Sequence, residues 1–146
     1  MTELPRVSIV TPSYNQARFL EQTIQSVLEQ DYPNLEYFVM DGGSTDGSLE
    51  IIQRYAPRLA GWVCEKDRGQ TDALNKGFAR ATGQILAWLN SDDTYEPGAV
   101  SAAVAALTSR PDAAAIYGEA NFIDENGRAI GRFPAAQTDL PRLRRG

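Results

Sequence analysis

The sequence predicts an α/β fold, a mostly parallel sheet flanked by helices and followed by a C-terminal β-hairpin. Three observations carry this prediction. Short β-branched or apolar runs alternate with stretches whose apolar residues recur at helical spacing. The strand-like runs stop at polar or turn-forming residues, as at Pro12 and at "GGSTDGS". Near the end, Asn126-Gly127 stands between two β-like runs, a strong hairpin signal.

Taken in order, "RVSIVTP" reads as a buried first strand. In "NQARFLEQTIQSVLEQ", Phe19, Leu20, Ile24, Val27 and Leu28 fall at helical spacing, with Asn15 as N-cap. "LEYFVMD" is a second strand and "LEIIQRYA" a short helix. "GWVCE" is a weaker third strand, and "TDALNKGFARA" a helix closed by Gly83. "QILAWL" reads as a fourth strand with Trp88 in the core, "AVSAAVAAL" as a fourth helix and "AAAIYG" as a fifth strand. "NFIDENGRAIGRF" supplies the hairpin. In such sheets ligands bind beyond the carboxyl ends of the strands. Thr11 to Asn15, Asp41, Glu65 to Arg68 and Asn90 to Asp93 all fall there, so four strand ends are expected on one rim.

Composition removes several functions. The chain has 146 residues, 42% of them hydrophobic, which suffices for one domain with its own core. A net charge of −5 gives no basic footprint for nucleic acid. The lack of histidine excludes Ser-His-Asp and Cys-His catalysis and histidine-bound zinc. The single cysteine, Cys64, fits a reducing compartment, and its apolar setting reads as a packed thiol. No apolar run approaches the roughly 20 residues that span a bilayer, so a cytoplasmic domain is expected.

Two common nucleotide motifs are missing. There is no G-x-x-x-x-G-K-[ST] phosphate loop, and "DGGSTDG" does not fit G-x-G-x-x-G. The adjacent carboxylates Asp92 and Asp93 in "ILAWLNSDDTYEPG" raise a different question, since like charges side by side repel. Hard oxygens suit Mg²⁺ or Mn²⁺, which would bridge to a diphosphate. The competing reading is that "NSDD" caps the next helix.

At this point the chain resembles the family 2 glycosyltransferases. The resemblance runs through "VSIVTPSYNQARFLEQTIQSVLEQDYPNLEYFVMDGGSTDGS", "EKDRGQTDALNKGFARATGQILAWLNSDD" and "YGEANFIDENGRAIG". It implies a GT-A, Rossmann-like fold and transfer of a sugar from a nucleoside diphosphate, with uracil favoured, to a saccharide or lipid-linked acceptor with inversion. It also implies a metal cofactor, Mn²⁺ or Mg²⁺, and peripheral membrane association of the full enzyme. On this resemblance Thr11, Pro12 and Tyr14 line the base pocket, and Asp41 reads the base edge. Asp67 and Arg68 lie beside the nucleotide, Asn90 and Asp92 join them, and Asp92 with Asp93 matches the metal-binding D-x-D region.

Plainer roles compete with each assignment. Asp41 can stabilise its own turn, Tyr14 can sit half-buried at a strand end, and Arg68 can pair with Asp67 or Asp72. Lys76, four residues after Asp72, reads as its helical ion-pair partner, and Asp46 as a turn or cap residue. Two departures stand out. Asn90 occupies a place where the family often has an acid. The family's acceptor-binding half and its basic carboxylate come after the hairpin, so the chain is expected to be one domain, 1–146, cut before that half. Glu119, Asp124 and Glu125 match no base, which is expected beyond Gly146. A non-catalytic nucleotide-sugar-binding module is the alternative reading, and the isolated chain is expected to be inactive or weakly hydrolytic.

Overall fold

The computed structural model describes residues 4–135. The chain divides into two compact units, Met1–Val104 and Ala105–Gly146. The first unit is built on four parallel strands, β1 (Val7–Ser13), β2 (Leu35–Asp41), β3 (Gly61–Cys64) and β4 (Ile85–Trp88), in the order β3-β2-β1-β4. The helices between them are α1 (Ala17–Leu28), α2 (Ser48–Tyr55) and α3 (Gln70–Phe78), with α4 (Ala99–Thr108) after β4.

The order reverses between β1 and its two neighbours, with Val7 in register with Leu35 on one side and Ile85 on the other. A parallel sheet opens a crevice at such a reversal, outside the carboxyl ends of the strands. The two central strands are buried on both faces. Val7 and Ile9 of β1 with Tyr37 and Val39 of β2 pack against Leu20, Ile24 and Val27 of α1 and Ile51 and Ile52 of α2. On the other face Val10, Phe38 and Met40 meet Ala73, Leu74 and Phe78 of α3. The contact of α3 with β1 is close: a Cβ on Gly77 would lie 2.4 Å from Val10 Cγ1.

Several sequence expectations change here. α1 is capped at Gln16, whose side chain makes no capping bond, and Asn15 instead takes a left-handed φ of 52°. The missing cap comes from Asp46, whose Oδ2 accepts the Ala17 amide at 2.9 Å. α3 stops at Ala79, not Gly83. Gly83 is needed elsewhere: a Cβ there would sit 2.5 Å from Ser8 Oγ, which accepts the Gly83 amide. Trp88 is 58% exposed: among the described residues β4 pairs with β1 alone, while α3 packs on β1 and β2.

In the second unit "AAAIYG" forms no strand. The hairpin comprises β5 (Ala120–Ile123) and β6 (Ala129–Phe133), paired antiparallel. Its turn places Gly127 at φ 77°, and Asp124 Oδ1 accepts the amides of Asn126 and Arg128.

Candidate functional site

A cleft of about 530 Å³ opens in the first unit where the four strands end. β1 contributes Pro12, Ser13 and Tyr14, and β2 contributes Gly42. Lys66 and Asp67 come from the segment between β3 and α3, Gln70 from the first position of α3, and Asn90, Ser91 and Asp92 from the loop after β4. The convergence read from the sequence is therefore present, and it falls at the crevice beside β1.

The β1 and β2 loops are tied into one wall. Asp41 is 2% exposed, and its carboxylate is occupied from several sides. Oδ1 accepts the amides of Gly43 at 3.0 Å and Ser44 at 2.8 Å and the Cys64 thiol at 3.2 Å, while Oδ2 accepts the Ser44 hydroxyl at 2.6 Å. Burial and the neighbouring carboxylate push the Cys64 thiol up. Ser44 Oγ in turn accepts the Asn15 amide at 2.7 Å, and Asn15 Oδ1 accepts the Thr45 amide at 2.9 Å. This lattice holds the left-handed Asn15 and presents Tyr14, 63% exposed, at the cleft. Asp41 itself is not among the lining residues. Its bonds are those of a carboxylate organising its own turn.

Asp67 lies directly over Gly42, where a Cβ would come within 2.9 Å of Asp67 Oδ2. Its Oδ1 accepts the Gly69 amide at 2.8 Å, at a φ of 105°. Arg68 reaches away: its side chain is 89% exposed and pairs with Asp72 at 3.1 Å. Lys76 bridges Glu65 at 2.9 Å and Asp72 at 3.5 Å, as the helical spacing suggested. Thr11 belongs to the core: it is fully buried and its hydroxyl meets Tyr37 Oη at 2.8 Å. Its expected place in the base pocket is corrected accordingly.

The "NSDD" segment caps no helix. It forms a turn, with the Asp93 amide donating to Asn90 O at 3.1 Å, and α4 begins only at Ala99. Asn90 Oδ1 accepts from Gln70 Nε2 at 2.7 Å, and Asn90 Nδ2 donates to Asp93 Oδ2 at 3.3 Å. Asn90 thus orients Asp93 and spends its own oxygen on Gln70. Burial and the charge of Asp92 push the Asp93 carboxyl up, against the Asn90 hydrogen bond. A cation beside the pair would relieve that repulsion. Among the described residues, no three His, Cys, Asp or Glu side chains gather into a metal-holding group. Two carboxylates alone suit a hard cation whose other ligands come from water and phosphate.

The sequence reading missed Gln70 and Gly42. Gln70 had a visible signal, a polar residue opening a helix just after Gly69. Of the acidic residues weighed as bases, Glu119 pairs with Arg132 and Asp124 holds the hairpin turn. Among the described residues no helix is long and apolar enough to cross a membrane.

Residues 8–142 match the model of Glycosyl transferase family 2. The chain belongs to that family. A putative teichuronic acid biosynthesis glycosyltransferase of Bacillus subtilis, TuaG, is 32% identical over 93% of this chain and 55% of its own length. An uncharacterized glycosyltransferase of Mycobacterium tuberculosis is 38% identical over 81% of this chain and 46% of its own. This family 2 chain therefore spans about half the length of these relatives. Among solved structures, the mannosyltransferase PcManGT from Pyrobaculum calidifontis, in complex with GDP-Man and Mn²⁺, is 34% identical with a TM-score of 0.67 over 84% of this chain and 36% of that one. Staphylococcus aureus TarS 1-349, in complex with UDP-GlcNAc, shares the fold at 24% identity and a TM-score of 0.66, over 73% of this chain and 32% of that one. The fold is that of the GT-A glycosyltransferases.

Proposed function

We propose that this chain forms the nucleotide-sugar-binding part of a metal-dependent glycosyltransferase that transfers a sugar to an acceptor hydroxyl with inversion. The observation that carries the proposal is the cleft itself, where Tyr14, Asp67, Asn90 and Asp92 converge from the ends of the strands in a family 2 chain. Tyr14 offers an exposed ring face for a base. Asp92, with Asp93 held beside it by Asn90, is proposed to hold Mn²⁺ or Mg²⁺ together with the diphosphate. When bound, that cation supplies charge stabilisation for the departing diphosphate. Lys66, on the cleft wall, adds a second positive charge. Arg68 can exchange Asp72 for a phosphate, since exposed ion pairs are worth under about 1 kcal/mol. Asp41 enters as the residue that holds the wall carrying Tyr14.

PcManGT, at 34% identity, supports a nucleoside diphosphate sugar and Mn²⁺ as the ligand class. Inversion rests on the family resemblance. A saccharide or lipid-linked acceptor is proposed because TuaG is named for teichuronic acid biosynthesis. A cytoplasmic setting belongs to the same proposal and rests on the unpaired Cys64.

The test is calorimetric titration of the chain with UDP and GDP, each with Mn²⁺ and with EDTA. Binding should strengthen with Mn²⁺, and Asp92→Asn should weaken the metal-assisted binding by about tenfold or more, as expected for loss of a charged ligand. Equal affinity in EDTA, or an unimpaired Asp92→Asn variant, would refute it.

A further inference from the structure

One hydrogen bond joins two sides of the cleft. Gln70, the first residue of α3, donates from Nε2 to Asn90 Oδ1 at 2.7 Å, and Asn90 stands in the loop after β4. Both residues line the cleft. Gln70 is exposed, so burial does not oblige its amide to find a partner within the protein. Holding a long exposed side chain in one contact costs rotamer entropy.

The backbone before Gln70 is shaped to present it. Gly69 has φ 105° and ψ −179°, a conformation essentially confined to glycine. A Cβ there would meet nothing within 4 Å, so the glycine serves the turn and not a close approach. The turn is pinned on both sides. The Gly69 amide donates to Asp67 Oδ1 at 2.8 Å and the Arg68 amide to Asp72 Oδ2 at 3.2 Å, while Gly69 O accepts the Asp72 amide at 2.9 Å. From this fixed helix start the effect reaches Asp93 through a single amide. Asn90 has one oxygen and one NH2 group. With the oxygen held by Gln70, the NH2 group faces Asp93 Oδ2 at 3.3 Å. The opposite orientation would set the Asn90 oxygen against the Asp93 carboxylate.

We infer that Gln70 is a positioning residue for the acidic pair: it holds the Asn90 amide, and through it the Asp93 carboxylate, in the arrangement that receives a cation. This rests on the proposed function above and adds a residue that acts on that site through Asn90. Hydrogen-bonding partners that orient a carboxylate ligand tune its metal affinity.

The test is calorimetric titration with UDP and GDP, each with Mn²⁺ and with EDTA, on the parent chain and on Gln70→Met, which keeps the side-chain length and removes the donor. The readout is the gain in affinity that Mn²⁺ brings. Gln70→Met should reduce that gain by about fivefold, the scale of one modest hydrogen bond, and leave affinity in EDTA unchanged. Asn90→Ala should reduce the gain by as much or more. In the Asn90→Ala background Gln70→Met should cost nothing further, because the two residues act in series.

A gain left intact in either single variant would overturn the inference, while the Mn²⁺ effect in the parent would keep the cleft's function standing. An equal loss in EDTA would overturn it as well, since Gln70 would then touch the nucleotide itself. So would a full further loss in the Asn90→Ala background. If Mn²⁺ strengthens neither nucleotide in the parent, the proposed metal site fails, and the role of Gln70 fails with it.

Discussion

Replacing Asp41 with alanine separates two roles for the same carboxylate. The structure gives it four hydrogen bonds, two from the backbone amides of Gly43 and Ser44 and two from the side chains of Ser44 and Cys64. Bonds to a charged acceptor are worth about 1.5–3 kcal/mol each, but they are not additive, and the partly buried turn can recruit water. A net loss of about 3 kcal/mol is therefore expected for Asp41→Ala. For a domain of this size that lowers Tm by roughly 9 °C, readable by circular dichroism. Asp41→Asn keeps an acceptor for the two amides and should lose about half as much. Because the Ser44–Asn15 link goes slack, ligand affinity should fall too, and UDP and CDP should suffer equally. A Tm within about 2 °C of the parent would refute the turn-holding role. A loss confined to UDP would instead put Asp41 in contact with the base edge.

Two further outcomes follow from the packing. Gly77→Ala should destabilise the fold by about 1–2 kcal/mol in denaturant titration, because the clash with Val10 outweighs the gain in helix propensity; a more stable variant would mean that α3 can retreat from β1. Burial disfavours the Glu36 carboxylate, yet hydrogen bonds from Ser8 and Thr82, with the charge of Arg6, hold its pKa below the usual value of 4.5. The folded pKa lies below the unfolded one, so this stability is fully present above about pH 4.5 and is lost as pH falls through the folded value. Glu36→Gln should flatten that acid limb in thermal melts between about pH 3 and 6; an unchanged slope would show that Glu36 is not its source.

Much of the architecture was legible because burial and period agreed. β1 and β2 are the central strands, and their apolar runs are buried on both faces, so pattern and structure coincide. The misreadings fall where a distant residue decides. Asn15 has the composition of a cap, but Ser44 and Thr45 pull it into a left-handed turn, and Asp46 caps α1 from another loop. Trp88 alternates like a core residue, but whether a strand is central or at the edge is a property of the sheet and not of the strand. Gly83 has the composition of a helix terminator, yet its lack of a side chain answers to Ser8 on β1.

The acidic pair shows the same principle at the site. A cap reading of "NSDD" treats Asp92 and Asp93 as local, so it needs a helix immediately after them, and α4 starts too late. What fixes the segment is the polar side of α1. Thr23 Oγ1, on a fully buried residue, donates to Asp93 O at 2.8 Å, and Ser26 Oγ accepts the Tyr95 amide at 3.1 Å. Gln30, just past the helix, donates to Glu96 O at 3.0 Å and accepts the Val100 amide at 3.1 Å. Thr23, Ser26 and Gln30 recur at spacings of three and four, a period that reads in sequence as an ordinary solvated helix face. Here that face clamps a long loop by its backbone and leaves the two carboxylates outside the clamp. Among the described residues Asn90 bonds the Asp93 side chain and carries no charge, so that bond leaves the charge of the pair in place. Asp92 lines the cleft beside Asp93, and the proposed cation would offset the charge of the pair. The titrations with Mn²⁺ and with EDTA measure that contribution.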